Sequence, residues 1–103
     1  MLTNSKILGL VGLAARARNI CFGADSVEEE IRKRKAKLVI IAKDSSERTK
    51  RKFVTLCEKN EIPICIYENI DNISKAIGKS NKAVIGIKDL NIAKEIEKIY
   101  NRG

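Results

Sequence analysis

The stretch from Ile20 to Asp44, ICFGADSVEEEIRKRKAKLVIIAKD, decides the fold. It reads as a tight turn at Phe22-Gly23, an amphipathic helix, a short reversal at Ala36-Lys37, a buried strand and a polar loop. Leu38 to Ala42 is a continuous apolar run without alternation, the pattern of a strand covered by helices on both faces, so it is the central strand. The helix before it, Ala24 to Lys35, buries Val27 and Ile31 and carries Glu28, Glu29 and Glu30 in its first turns. It ends in Arg32, Lys33, Arg34 and Lys35, acid first and base last as the helix dipole favours. The basic run is therefore read first as a solvated, dipole-matched helix end. A helix and a strand joined so briefly run in opposite directions. The turn at Gly23 and the loop from Lys43 to Glu47 then share one end of the molecule. There a Gly-led helix N-terminus and a basic, hydroxyl-rich loop can face one ligand.

Working outward, the N-terminal segment predicts a helix from about Asn4 to Ala17, capped by Thr3 or Asn4. Gly9 and Gly12 each cost it up to about 1 kcal/mol of propensity, tolerable where another element packs closely. Asn19 to Phe22 reads as a short edge strand. A third helix from Glu47 to Asn60 turns Phe53, Leu56 and Cys57 inward and places Arg48, Lys50, Arg51 and Lys52 near its start. Basic residues oppose the dipole at that end, and a local rule broken in this way is where function is worth suspecting. Pro63 leads into a strand, Ile64 to Tyr67. Asn69 to Asn72 reads as a turn, Ile73 to Ile77 as a short helix stopped by Gly78, and Lys79 to Lys82 as a polar loop. Ala83 to Ile87 is a further apolar strand, and Asp89 or Asn91 caps a last helix, Ile92 to Tyr100. The sum is an α/β chain: a three-layer α/β/α sandwich with a mixed sheet of about four strands, forming a single domain over residues 1–103.

The chain has 103 residues, 44% of them hydrophobic and 33% charged, enough for one real core. Its net charge of +8 makes a polyanion the default partner. Residues 1–52 hold 13 Lys/Arg against 6 Asp/Glu, and residues 53–103 hold 8 against 7, so the excess lies in the first half. Cys21, Cys57 and Cys65 form no CxxC pair, and the chain has no His to complete a zinc site or act as a general base. This usage fits a reducing compartment, the cytoplasm. Lys6 followed by the apolar Ile7 to Ala15 and then Ala15-Arg16-Ala17 mimics a secretory signal. Arg16 and Arg18 sit where cleavage would fall, and Ile7, Leu10, Val11 and Ala14 have the spacing of a packed helix face. No stretch approaches the roughly 20 apolar residues of a membrane span.

Three segments, ICFGADSVEEEIRKRKAKLVIIAKD, LCEKNEIPICIY and SKAIGKSNKAVIGI, carry a resemblance over nearly the whole chain. In order and spacing they resemble the ribosomal-protein L-seven-Ae and L-thirty-e family of kink-turn RNA-binding proteins. Leu10 to Arg18 and the Gly78-Lys79-Ser80 loop look most like its bacterial YlxQ-type branch. Kink-turn binders of this family open the helix after the turn with Gly-x-Asn-Glu-x-x-Lys, which reads the bases of the kink. Here Gly23 is kept, Asp25 stands at the Asn position, Ser26 at the Glu position and Glu29 at the Lys position. Asp25 and Ser26 can still accept from base amino groups, whereas Glu29 would repel phosphate. An ordinary reading stands beside this one: Ser26-x-x-Glu29 is a capping box. Gly23 either permits close approach to a phosphate or base edge or simply supplies a positive φ. The resemblance implies that the loop Gly78 to Lys82 lies beside the loop at Lys43, whereas simple parallel alternation would place it at the opposite end. The family's loop there is apolar; Lys79, Ser80 and Lys82 make this one cationic and better suited to phosphate.

The leading expectation is a non-catalytic protein that binds structured RNA, ribosomal or kink-turn-containing. The expected contact surface is Gly23, Ala24, Asp25 and Ser26, with Lys43, Ser45 and Ser46, and with Lys79, Ser80 and Lys82. Arg16, Arg18 and Lys50 add phosphate contacts. With aromatic residues at 4% there is no row of rings for stacking single-stranded bases. The chain is expected to act as a monomer, without cofactor, metal, membrane or small-molecule substrate. The alternative is a protein-interaction module on the same fold that has lost specific kink-turn recognition.

Overall fold

The computed structural model describes residues 2–102. The elements follow in the order α1 (Leu2–Arg16), β1 (Ile20–Phe22), α2 (Ala24–Arg32), β2 (Leu38–Ile41), α3 (Glu47–Asn60), β3 (Ile64–Ile66), α4 (Ile70–Ala76), β4 (Val84–Ile87) and α5 (Leu90–Arg102). The strands form one mixed sheet in the order β1-β4-β2-β3. β2 and β3 are parallel and joined through α3, while β4 runs antiparallel to both β2 and β1.

The apolar run of β2 is sorted between two cores by the strand's period of two. Leu38, Ile40 and Ala42 pack with Ile7 and Val11 of α1, Ile73 of α4 and Ile96 of α5. Val39 and Ile41 pack with Val27 and Ile31 of α2 and with Phe53 and Cys57 of α3. Helices thus cover both faces, and this is why the sequence shows no alternation. β3 is an edge strand, and its outward backbone at Ile66 is covered by Tyr100. The Tyr100 hydroxyl accepts from the Ile66 N–H and donates to the Ile66 carbonyl, each at 3.3 Å. An edge covered in this way is no template for another strand.

Several boundaries differ from the sequence reading. α1 begins at Leu2, so Thr3 and Asn4 lie inside it and the capping position falls outside the described residues. α2 stops at Arg32, with Arg34 in a left-handed conformation at φ 61°. The chain must turn there because the Lys37 N–H is taken by the Ile87 carbonyl at 2.7 Å. The segment expected as a turn, Asn69 to Asn72, is the cap and first turn of α4. The Asn69 side chain accepts from the Asn72 N–H, and Asp44 Oδ1 reaches from the loop after β2 to accept from the Ile70 N–H, both at 2.8 Å. Of the two candidate caps for α5, Asp89 is used, its Oδ1 accepting from the Ile92 N–H at 2.9 Å. Gly12 sits where a Cβ would lie 3.4 Å from the Ala76 carbonyl oxygen, the close helix approach that its presence suggested, whereas Gly9 has nothing near it.

Gly86, in the middle of β4, permits a close approach of Cys21 on the neighbouring strand. A Cβ at that position would lie 2.7 Å from Cys21 Sγ on the neighbouring strand. Gly86→Ala is expected to destabilise the protein by about 1 to 3 kcal/mol through overpacking. Adding Cys21→Ala should recover part of that loss in urea unfolding, because the clash is with one sulfur.

Candidate functional site

Four chain reversals meet at one end of the sheet because of its register. Ile41 of β2 lies opposite Val84 of β4 and Ile66 of β3, and Phe22 of β1 lies opposite Ile85. Ladder bonds continue past the strands, from the Gly23 N–H to the Val84 carbonyl (3.0 Å), Ala42 to Ala83 (2.9 Å) and Lys43 to Glu68 (2.7 Å). The turn at Gly23, the loop after β2 and the loop before β4 are therefore neighbours. The opposite placement of residues 78–82, derived from simple alternation, is corrected here. α4 spans only seven residues, about 10 Å, and lies across this end without carrying the chain back along the sheet.

Gly23 is the N-cap of α2, at φ 88° and ψ 149°, a region reserved for glycine. Its geometry alone demands the residue, and a Cβ there would point into open space. Because Gly23 is the cap, the capping box expected from Ser26 and Glu29 does not form. Ser26 is already the third helical residue, α2 has no side-chain cap, and Glu29 instead pairs with Lys33 at 3.0 Å. Ala24, Asp25 and Ser26 are exposed in the uncapped first turn. Among the described residues neither Asp25 nor Ser26 makes a side-chain hydrogen bond.

The serines of the loop after β2 are structural. Ser45 is buried, and its hydroxyl donates to the Ala42 carbonyl at 2.8 Å. Ser46 caps α3, its Oγ accepting from the Thr49 N–H at 3.1 Å. Lys43 is exposed between them and the strand. Lys50, in the first turn of α3, is held by Glu47 at 3.5 Å. Arg16 runs back along α1, its Nη1 3.6 Å from the point a Cβ on Gly12 would occupy, on the side of α1 that approaches α4. Arg18 does not join this group through its backbone. It precedes Asn19, whose carbonyl accepts from the Lys88 N–H at the opposite end of the sheet.

The loop from Gly78 to Lys82 is the most tightly built part of the site. Gly78 and Asn81 take positive φ, 71° and 56°. Ser74, buried in α4, bonds both ends of the loop: its carbonyl accepts from the Lys79 N–H at 2.8 Å and its hydroxyl from the Lys82 N–H at 2.7 Å. Lys79 and Lys82 place their ammonium groups 5.2 and 5.4 Å from the centre of the Phe22 ring. Ser80 is exposed at the tip. Neither Ser74 nor Phe22 was picked out from the sequence. A serine directly after the core residue Ile73 was the available signal for the first, and an aromatic directly before the glycine turn for the second.

Charge is segregated along α2. Glu28 pairs with Arg32 (2.7 Å) and Lys52 (2.8 Å), which hold its carboxyl below the ordinary carboxylate range, and Glu30 lies 3.2 Å from Lys88, within ion-pair distance but off the hydrogen-bond angle. Among the described residues no ion pair involves Lys43, Lys79 or Lys82. These three cations thus have no ion-pair partner among the described residues, while Arg32 and Lys33 of the basic run at the far end of α2 are paired. Carboxylates are present at the Gly23 end in Asp25, Asp44 and Glu68, of which Asp44 caps α4. A groove of about 400 Å³ lies at the far end, lined by Arg34, Lys37, Pro63, Leu90 and Lys94 among others, away from this cluster. Burial pushes the Cys21 thiol up to about 11, with the Glu30 carboxylate adding to it, so it is no activated nucleophile. Among the described residues no three His, Cys, Asp or Glu side chains gather as metal ligands do, and no helix is long and apolar enough to cross a membrane.

A chain with this sheet order, two-sided helical cover and clustered basic loops falls in one family by direct comparison. Residues 5–97 match the model of the Ribosomal protein L7Ae/L30e/S12e/Gadd45 family, and the chain belongs to it. It is 34% identical over 87 residues to the RNA-binding protein YlxQ of Bacillus subtilis (strain 168), covering 84% of this chain and 87% of that protein. It is 36% identical over 94 residues to the protein of the same name from Enterococcus faecium, covering 91% and 90%. A solved structure described as a protein with unknown function from Bacillus halodurans C superposes with a TM-score of 0.90 at 33% identity, over 93% of this chain and 97% of that one. A Giardia lamblia 15.5kD RNA binding protein shares the fold, with a TM-score of 0.84 at 23% identity over 99% and 90%.

Two outcomes follow from the geometry of this end and of the core behind it. Ser74→Ala leaves the Lys82 N–H without its buried partner and is expected to destabilise by about 1 to 3 kcal/mol, with faster amide exchange at Lys79 and Lys82. Burial also raises the Cys57 thiol to about 11 and Cys65 to about 12, against an ordinary 9.0. The folded thiols keep their protons to higher pH than the unfolded chain does. Their contribution to stability is therefore full below about pH 9 and lost as pH rises toward 11 to 12. The urea midpoint should fall over that range, and less steeply when all three are changed to Ala.

Proposed function

We propose that this protein is a non-catalytic binder of structured RNA, and that the sheet end carrying Gly23, Lys43 and the loop Gly78 to Lys82 is its binding surface. The observation that carries the reading is the collection of uncompensated cations beside an uncapped helix start in a chain of this family. The relatives named RNA-binding proteins support it. Lys43, Lys79, Lys82 and Arg16 neutralise phosphates, which positions the RNA without reading its sequence. Asp25 and Ser26 accept from base amino groups of a kinked segment, a role left open to them because neither is spent on capping. Ser45 and Ser46 act indirectly by shaping the loop that carries Lys43.

The second reading, a protein-interaction module without kink-turn specificity, is favoured by Glu29, which stands at the position of the kink-turn binders' Lys and is committed to Lys33. Titration of a kink-turn RNA, its unkinked mutant and a plain duplex at several salt concentrations separates the two. Preference for the kinked form is expected, with log K falling by roughly 0.7 to 0.9 per phosphate neutralised along log salt. Changing Lys43, Lys79 or Lys82 to Gln should weaken all three RNAs and reduce that slope by about one each. Asp25→Ala should cost about tenfold on the kinked RNA alone. Equal affinity for all three RNAs, unchanged by Asp25→Ala, would leave only generic electrostatics and defeat the kink-turn reading.

A further inference from the structure

We infer that Phe22 is a positioning residue of this surface, its ring holding the ammonium groups of Lys79 and Lys82 together as a preformed clamp for an RNA backbone phosphate. The inference rests on the RNA-binding reading above. Phe22 ends the edge strand β1, and its half-buried ring packs against the core formed by α1, α4 and α5. The ring is therefore anchored from below and cannot follow the loop. Lys79 and Lys82 come to it from a loop whose backbone is fixed at the same two residues by Ser74. Backbone and side-chain ends of both lysines are thus held independently, the first by a buried serine and the second by the ring.

Two ammonium groups repel one another, and at this place no carboxylate pairs with either of them among the described residues. The negative face of the aromatic quadrupole is what draws each of them in, at 5.2 and 5.4 Å from one centroid. That attraction is weak, so both cations remain available to a stronger anion. Their side-chain freedom has already been reduced, which lowers what an incoming phosphate must order. A ring so covered is not a free stacking platform. Its role runs through the lysines.

Binding of one kink-turn RNA is measured across a range of salt for the wild type and for Phe22→Leu, Phe22→Tyr, and Lys79→Gln with Lys82→Gln. The same titration is run on that lysine pair combined with Phe22→Leu. Pentafluorophenylalanine at position 22 keeps the ring's shape while reversing its quadrupole, and covers the case in which leucine disturbs folding. The free proteins are compared by the ring-current shifts of the Lys79 and Lys82 ε-methylene protons.

Phe22→Leu and the fluorinated ring are expected to weaken binding about three- to tenfold and to lower the salt slope by roughly one to two lysine equivalents. Phe22→Tyr should stay within about twofold of the wild type. In the lysine-neutral background the leucine change should be silent, and the upfield shifts of the ε-methylene protons should vanish with the ring. Loss of affinity that persists without the lysines would mean the ring touches RNA itself and would overturn the positioning role. Wild-type affinity and slope in both ring variants would do the same. A wild type that binds no RNA sinks the functional reading first and this inference with it, whereas normal wild-type binding with indifferent ring variants removes this inference alone.

Discussion

The antiparallel insertion of β4 between β1 and β2 is the constraint on which the rest of the structure depends. β4 is paired on both sides, and its partners lie far away in sequence, so its hydrogen bonds tie the N-terminal third of the chain to the C-terminal third. The Lys37 and Lys88 N–H groups extend the ladder at one end, and Gly23 and Ala42 extend it at the other. The insertion requires close approach at Gly86, where Cys21 occupies the space a side chain would need. Because β4 runs against β2, the loop that precedes it emerges beside the loop that follows β2. Parallel pairing would have separated Lys79 and Lys82 from Gly23 by the length of the strands.

The same constraint separates structural charge from available charge. Glu28, Glu29 and Glu30 of α2 are matched by Arg32 and Lys33 at its C-terminal end, by Lys52 of α3 and by Lys88 beyond β4. Those pairs are exposed or half-exposed, and their effect on stability is small. None of them draws on Lys43, Lys79 or Lys82, which have no ion pair among the described residues. Net charge and its sequence asymmetry pointed to the first half of the chain as the cationic partner surface. In the folded molecule two cations of the proposed surface, Lys79 and Lys82, come from the nearly neutral second half.

Within the proposed site, residues that shape the scaffold can be told apart from those left free for contact by what their polar atoms already do. Ser45, Ser46, Asp44 and Ser74 are committed to backbone groups of the protein. They hold the loops in place and have little left to offer a ligand. Asp25, Ser26, Lys43 and Ser80 carry no such commitment among the described residues. Gly23 belongs to the scaffold as well, since its backbone conformation demands glycine whatever lies outside it. The helix start therefore depends on the loops beside it for positive side-chain charge.

The α/β class, the central place of Leu38 to Ile41, the limits of α3, and the partnership of the Gly23 turn with the loop at Lys43 can all be read from the chain without its structure. Each follows from local periodicity, breakers and the direction reversal of a short helix-to-strand link, all of which are properties of neighbouring residues. Tertiary structure alone decided the direction of β4, the first turn of α4 under Asp44, the use of Gly23 as a cap in place of a Ser26–Glu29 box, and the meeting of Phe22 with Lys79 and Lys82. These depend on hydrogen bonds and ring contacts between residues far apart in the chain. The resemblance to known RNA binders placed the loop at Lys79 correctly where alternation did not, because the path of α4 across the end of the sheet is set by packing and leaves no mark in local pattern.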